Sequence, residues 1–353
     1  MKTFEKIGLK LLHQLEPERA HGLSIQALKF GLVPLHGKPI TSSHLKTKIS
    51  GITLSNPIGL AAGYDKNAEA LGPLSRAGFG FLEVGAATPR PQEGSGKPRL
   101  YRLPEDKAVI NRFGFNNQGI DRITARLRRT QTNIPRGLNL GANKDSKQQV
   151  EDFGYVLMRA AAHIDFATIN VSSPNTKDLR KLQGKNALED LLGRVNTANN
   201  ALEIRVPIFL KIAPDLSEND VQDIADISLS ENLSAIICTN TTLDRNDLSS
   251  HHQNQSGGLS GRPLFEKSTR VLAQMRSATN SQIDLIGVGG VSSAEDAYKK
   301  IRAGANAVQL YSALVYESLS LIPKIAIGLN DILIRDGFEN IKEAVGLDTE
   351  KWL

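Results

Sequence analysis

The chain has 353 residues, 40% hydrophobic and 23% charged, with a net charge of +6. A single cysteine, Cys238, excludes an intramolecular disulfide and a thiolate zinc site, and no His-Glu-x-x-His pattern occurs, so no metal is expected. No run of about 18 apolar residues is present to span a bilayer, the N-terminus lacks a signal-peptide core, and without zinc-finger spacing or an RNP-type motif the basic charge does not point to nucleic acid.

Residues 1–50 hold eight Lys and Arg against three Glu, which is +5 of the +6. Phe4, Ile7, Leu11 and Leu15 recur at helical spacing, widened by Leu9 and Leu12, with Thr3 as a cap and Lys2, Lys6 and Lys10 on the other side. Pro17 suits the first turn of a second helix and Glu18 its positive end. Ala20, Leu23, Ala27 and Leu28 form its apolar face, and Gly31 and Pro34 end it. Residues 1–45 thus predict a two-helix hairpin with more apolar surface than two helices alone can bury. Two readings stay open: the hairpin packs onto the rest of the chain, or it rests on an anionic membrane and admits a lipophilic molecule.

From Lys46 onward, short apolar runs alternate with helical patterns, which argues βαβ units and a parallel sheet. After a small hairpin around Lys48 to Leu54, core strands are predicted at Pro57–Ala61, Phe81–Gly85, Gly137–Gly141, Phe166–Val171, Ile208–Ile212, Ala235–Thr239, Leu285–Val288 and Ala307–Leu310. Helices are predicted near Asn67–Ala77, Ser146–Ala161, Ala187–Leu202, Ser217–Leu229, Leu264–Met275, Ser293–Ala303 and Ser312–Leu329. Residues 46–340 therefore predict an α/β fold, a (β/α)8 TIM barrel, with 341–353 as a C-terminal tail. The long interruptions Pro91–Asn111 and Leu243–Pro263 are expected to be lids or binding loops.

Polar side chains gather where these strands end, the face on which α/β barrels place their chemistry. The fourth strand runs into Asn170-Val171-Ser172-Ser173-Pro174-Asn175-Thr176, which either caps the next helix or carries a reaction. Lys66 follows the first strand, Asn139 lies in the third, and the sixth ends in Thr239-Asn240-Thr241. Lys211 sits inside the apolar fifth strand, where a cation is costly unless it meets an anion. Gly289-Gly290 with Ser292-Ser293, and Tyr311-Ser312 leading into a helix, suit a phosphate after strands seven and eight. A buried lysine, many amides and a phosphate site together suggest flavin mononucleotide (FMN), with the lysine stabilising charge on the reduced ring. The amides of Asn111, Asn170, Asn175 and Asn240 suit a cyclic imide substrate.

The segments Ala61–Lys66, Thr88–Gln92, Asn111–Asn117, Asn170–Thr176, Lys211–Leu216, Thr239–Asp244, Gly257–Pro263 and Gly287–Gly290 resemble those of the class 2, quinone-dependent dihydroorotate dehydrogenases, and the resemblance extends over nearly the whole chain. It implies oxidation of dihydroorotate to orotate in pyrimidine biosynthesis, with FMN as hydride acceptor and a membrane quinone as final oxidant. Ser173 would be the catalytic base, with Thr176 and Phe115 relaying or shielding its proton. Lys66, Asn111, Arg112, Phe113, Gly114, Phe115, Asn170, Asn175, Asn240 and Thr241 would surround the substrate. Ala62, Gly63, Asn139, Asn170, Lys211, Thr239, Gly261, Gly290, Tyr311 and Ser312 would contact FMN. His21, Arg102 and Tyr311 would line a quinone tunnel under the hairpin, and the protein would lie peripherally on the cytoplasmic face of the inner membrane. Class 1 relatives use cysteine as base, and here Cys238 lies on the wrong strand. Ala86 departs from the family, which usually has Thr or Ser there, so any flavin contact at Ala86 would be through the backbone. Two competing readings are a flavin barrel for another ring and a non-catalytic membrane- or nucleic-acid-binding barrel.

Overall fold

The computed structural model describes residues 2–173, 175 and 179–353, apart from the side chains of 2–4 and 179. Two antiparallel helices lead, α1 (Lys2–His13) and α2 (Pro17–Lys29). Pro17 occupies the first turn of α2, where no N–H partner is needed, and the Glu16 carboxylate accepts from the Glu18 and Arg19 amides at 3.0 and 2.8 Å. A two-stranded ribbon follows, β1 (Thr47–Ile49) and β2 (Ile52–Leu54). It closes the amino end of the barrel: Ile49 and Leu54 join the buried cluster of Phe81, Phe166 and Phe209, and Ser50 bonds Asp284 and the Ser234 carbonyl, each at 2.6 Å.

The barrel is closed and parallel. Its strands, in order around the wall, are β3 (Ile58–Leu60), β4 (Phe81–Ala87), β7 (Arg136–Leu140), β8 (Phe166–Asn170), β9 (Ile208–Ile212), β10 (Ala235–Cys238), β12 (Asp284–Val288) and β13 (Ala307–Leu310). Large aromatics fill its lower half. Phe166 stacks on Phe209 at 4.6 Å, and a side chain at Gly137 would enter the Phe166 ring, so that position has room for hydrogen alone. The outer helices are α3 (Leu71–Leu74), α4 (Ile120–Arg129), α5 (Gln149–Ala160), α6 (Lys185–Asn200), α7 (Glu218–Ser230), α8 (Phe265–Ala278), α9 (Ala294–Arg302), α10 (Leu314–Glu317) and α11 (Leu321–Arg335). The two long interruptions meet in a small antiparallel sheet, β5 (Leu100–Leu103), β6 (Ala108–Asn111) and β11 (Gly258–Gly261), which stands over the strand ends.

All eight expected strands are present, within one or two residues at their ends. The helix expected at Asn67–Ala77 shrinks to α3, because the Asp65 carboxylate binds the Glu69 and Ala70 amides, both at 2.8 Å, and holds the preceding stretch as a loop. The helix expected over Ser312–Leu329 breaks into α10 and α11 at Ser318, whose φ is +64°. Helix α4 and the three-stranded sheet were not anticipated. Residues 341–353 pack back on the barrel: Ile341 and Ala344 are fully buried, and Arg302 grips Asp348.

The hairpin is pinned by polar contacts. Arg99 binds Glu18 through two nitrogens at 2.7 and 3.0 Å, and Arg102 donates to the Leu12 and Leu15 carbonyls. Its buried apolar face is Ala20, Ile25 and Leu28 rather than the expected face that included Leu23. Ile7, Leu11, Leu23, Phe30 and Leu32 stay exposed, Phe30 at 74%.

Candidate functional site

A cavity of about 1350 Å³ opens at the carboxyl ends of the strands and runs outward between α1 and α2. Among the described residues, its wall includes every residue expected at the site except Arg112. Thr176 lies outside the described residues. Arg112 turns away: it donates to Pro98 O at 2.7 Å, Tyr101 Oη at 2.6 Å and Ser256 O at 3.1 Å, stitching the small sheet to its loop. Neighbouring residues leaving a strand face opposite ways, so Asn111 and Phe113 enter the cavity and Arg112 does not.

The base of the cavity is a wall of amides. Asn139 and Gln309 both donate to the buried Glu83 carboxylate, at 2.7 and 2.6 Å, and Asn170 donates to Asn139 Oδ1 at 2.9 Å. Asn240 donates to Asn170 Oδ1 at 3.3 Å and to Ser172 Oγ at 2.9 Å. Lys211 reaches the same region from β9. It is buried and makes no hydrogen bond or ion pair among the described residues. Burial pushes its ammonium below the ordinary range, and the Glu83 charge pulls it partly back. The anion whose charge reaches Lys211 is thus Glu83, on β4.

At one end, Gly289 and Gly290 adopt φ values of +112° and +73°. A Cβ at Gly290 would fall 2.6 Å from Phe265, so the loop lies directly on α8. Gly261, Tyr311 and Ser312 converge here, and Ser312 donates to Ser260 Oγ at 2.7 Å. Ser292 and Ser293 are engaged locally instead: both hydroxyls serve the start of α9, through Asp296. Behind the loop lies Lys300, fully buried, donating to Ser268 Oγ and Thr269 Oγ1, each at 2.9 Å. Burial pushes its ammonium down to about 7 against the opposing pull of Cys238, Asp296 and Glu266.

At the other end stand Lys66, Asn111, Phe113, Phe115, Ser173, Asn175 and Thr241. Lys66 donates to Gly63 O at 2.9 Å and lies 4.2 Å over the Phe113 ring. Burial lowers its ammonium to about 8, Glu18 opposing and Arg99 adding to the shift. Ser173 is buried, and its Oγ accepts the Asn175 N–H at 3.3 Å. Phe115, held at φ +55°, packs toward Gly141 and screens this corner. Asn175 is tied to Asn111 O at 3.1 Å.

Toward the mouth, Tyr64 and Tyr311 pack edge to face at 5.5 Å, and His21 meets Tyr64 edge to face at 5.4 Å. Burial and the Lys66 charge push the His21 imidazole down to about 3, so it is neutral at physiological pH. Arg102 lines the passage from β5. Beyond them the wall is apolar: Leu11, Leu23, Ala27 and Phe30 from the hairpin.

Sequence reasoning missed three groups here. Glu83 carried a readable signal, an acid inside an apolar strand. Lys300 hid beside Lys299 in an amphipathic helix. Arg180 clasps three loops, bonding Ser172 O at 3.1 Å, Thr241 O at 3.0 Å and the Asp215 carboxylate at 3.1 Å. Among the described residues no cluster of His, Cys, Asp or Glu could hold a metal ion, and no helix is long and apolar enough to cross a membrane.

A closed parallel barrel with this cavity belongs to the (β/α)8 enzymes that work at their strand ends. The family model described as dihydroorotate dehydrogenase matches residues 44–333. The dihydroorotate dehydrogenase (quinone) of Cereibacter sphaeroides is 57% identical, covering 100% of both chains. That of Agrobacterium fabrum is 46% identical over 99% of this chain and 97% of its own. The crystal structure of the Eimeria tenella dihydroorotate dehydrogenase in complex with ferulenol superimposes with a TM-score of 0.90 at 38% identity, covering 94% of this chain and 95% of that one. The chain belongs to the dihydroorotate dehydrogenase (quinone) family, oxidoreductases whose reaction serves pyrimidine biosynthesis.

Proposed function

We propose that the cavity holds FMN and dihydroorotate together, that Ser173 is the base, and that electrons leave to a membrane quinone entering beneath the hairpin. The observation that carries this reading is the composition of one continuous cavity. It joins a glycine loop suited to phosphate, a buried lysine without a hydrogen-bonded partner, a wall of oriented amides and an apolar mouth. These residues fit FMN: Gly261, Gly290, Tyr311 and Ser312 would take its phosphate, and Ala62, Gly63, Asn139, Asn170, Lys211 and Thr239 its ring. Bound FMN would accept the hydride from C6 of dihydroorotate.

The chain's own residues do the rest. Lys66 pairs with the substrate carboxylate. Asn111, Asn170, Asn175, Asn240 and Thr241 orient the imide. Ser173 Oγ removes the C5 proton, while Phe113, Gly114 and Phe115 exclude water. A serine hydroxyl is a weak base at neutral pH and must pass its proton onward; Thr176 is our candidate for that step. In this reading residues 1–45 are the quinone- and membrane-binding hairpin, 46–340 the FMN barrel and 341–353 a tail without chemistry. The protein sits peripherally on the cytoplasmic face of the inner membrane, its basic hairpin toward anionic lipid. An assay of dihydroorotate-dependent reduction of a short-chain quinone, with orotate measured as product, tests the overall reaction. Equal orotate and quinol are expected, and orotate formation without added quinone dependence would refute the final step.

Two further results are expected. The free-enzyme Lys66 ammonium must be protonated to bind an anionic substrate. kcat/KM for dihydroorotate should therefore fall as pH rises through about 8. Lys66→Met should raise KM about 10-fold or more and remove that limb of the profile. Lys300→Met should speed loss of FMN on dilution about 10-fold while leaving riboflavin, which has no phosphate, almost unaffected. Equal loss of both flavins would show Lys300 to be only a packing residue.

A further inference from the structure

The amides of the inner wall take their direction from one carboxylate. Gln309 and Asn139 donate to the two oxygens of Glu83, at 2.6 and 2.7 Å. Asn170 donates to Asn139 Oδ1 at 2.9 Å, and Asn170 Oδ1 accepts from Ser172 Oγ at 3.0 Å and Asn240 Nδ2 at 3.3 Å. An amide's oxygen and nitrogen ends have the same shape, so each side chain alone fits either way round. A carboxylate can only accept. Glu83 therefore forces Asn139 to turn its NH2 toward it and its oxygen toward Asn170. Asn170 must then give its NH2 to Asn139 and its oxygen to Ser172 and Asn240. Each NH2 carries two hydrogens. Asn139 and Asn170 each use one within the wall and retain one, and both residues line the cavity.

We propose that Glu83 is a positioning residue that fixes Asn139 and Asn170 as hydrogen-bond donors toward the cavity, so that these two amides take carbonyl-bearing edges, while Gln309, held by the same carboxylate, is left with an Oε1 acceptor that has no partner among the described residues. The assignment deepens the flavin-and-dihydroorotate reading and rests on it. Glu83 touches neither ligand. It acts through two amides, and its charge also reaches the buried Lys211 ammonium. Misdirected amides would place N–H edges and carbonyls in conflict, a loss that buried polar sites amplify because the unmatched group cannot turn to water.

The test uses the full-length, flavin-loaded protein. In Glu83→Gln the new side chain can present either end to Asn139, and the polarity of the run is no longer imposed. Flavin should stay bound. The orotate dissociation constant, read from the perturbed flavin spectrum, should rise about 10-fold, and flavin reduction by dihydroorotate should slow about 10- to 100-fold, with quinone reoxidation unchanged. The double exchange Glu83→Gln with Gln309→Glu separates polarity from mere structure. There the carboxylate at position 309 accepts from the amide at 83 and turns that amide's oxygen back to Asn139. Both orotate affinity and reduction rate should return to within about threefold of the parent, a coupling that only a directional chain produces.

Parent-like orotate affinity and reduction rate in Glu83→Gln overturn the assignment, as does a double exchange no better than the single one. If Glu83→Gln does not fold, the double exchange decides alone: it must fold and reduce flavin near the parent rate. A parent protein without flavin defeats the cofactor reading first, before either variant is made, and the assignment falls with it.

Discussion

Ser173→Ala should leave FMN bound and slow its reduction by dihydroorotate about 10²- to 10⁴-fold, the range for loss of a positioned general base. Reoxidation by quinone should be unchanged, because Ser173 stands in the corner with Asn111 and Asn175 and not among Leu11, Leu23, Ala27 and Phe30 at the mouth. The side chain is buried and small, and its Oγ makes one 3.3 Å contact with the Asn175 amide, so its removal should disturb packing little. Rapid-mixing reduction under anaerobic conditions separates the two half-reactions. A parent-like reductive rate would remove Ser173 from the role of base. Ser173→Cys keeps a titratable group with an ordinary pKa near 8.5 and should recover part of the rate with a shifted pH profile.

The second large effect concerns the hairpin. Leu11, Leu23 and Phe30 are 60%, 44% and 74% exposed and line the mouth of the cavity. A water-facing stripe of this kind on a basic helical pair is suited to lie in a bilayer surface. The triple substitution Leu11→Glu, Leu23→Glu and Phe30→Glu should cost little stability, since none of the three is in the core. It should weaken binding to anionic vesicles about 10²-fold or more, because three side chains lose about 1.5–3 kcal/mol of apolar transfer each and gain charge repulsion. Reduction of a vesicle-embedded quinone should fall in parallel, while flavin reduction by dihydroorotate stays intact. Vesicle flotation and coupled quinone assays read the two effects. Undiminished vesicle binding would return the hairpin to a purely packing role.

The barrel strands were readable because short β-branched and aromatic runs, bounded by glycine, proline and asparagine, leave few other structures open. Helix α4 was not, since Asp121, Arg122, Arg126, Arg128 and Arg129 hide the three buried positions Ile120, Ile123 and Leu127. The sheet over the strand ends was invisible for another reason: β11 pairs with β6 from about 150 residues away, and local pattern holds no trace of such a partner. Within the site, strand-end asparagines and the odd lysine in β9 stood out by type. Glu83 broke the same rule in β4 and went unread, although it governs the amides that were noticed. Arg112 shows the converse hazard: it sits within a recognisable motif, yet pleat alternation turns it to the outer face.

If one cavity joins FMN to dihydroorotate, a single titration shows it. The purified protein should be yellow, and stepwise anaerobic addition of dihydroorotate should bleach the flavin band in proportion to the orotate formed. A yellow protein that does not bleach would keep the flavin barrel and reject the substrate. A colourless protein that takes up no FMN would rule out a flavin in this cavity.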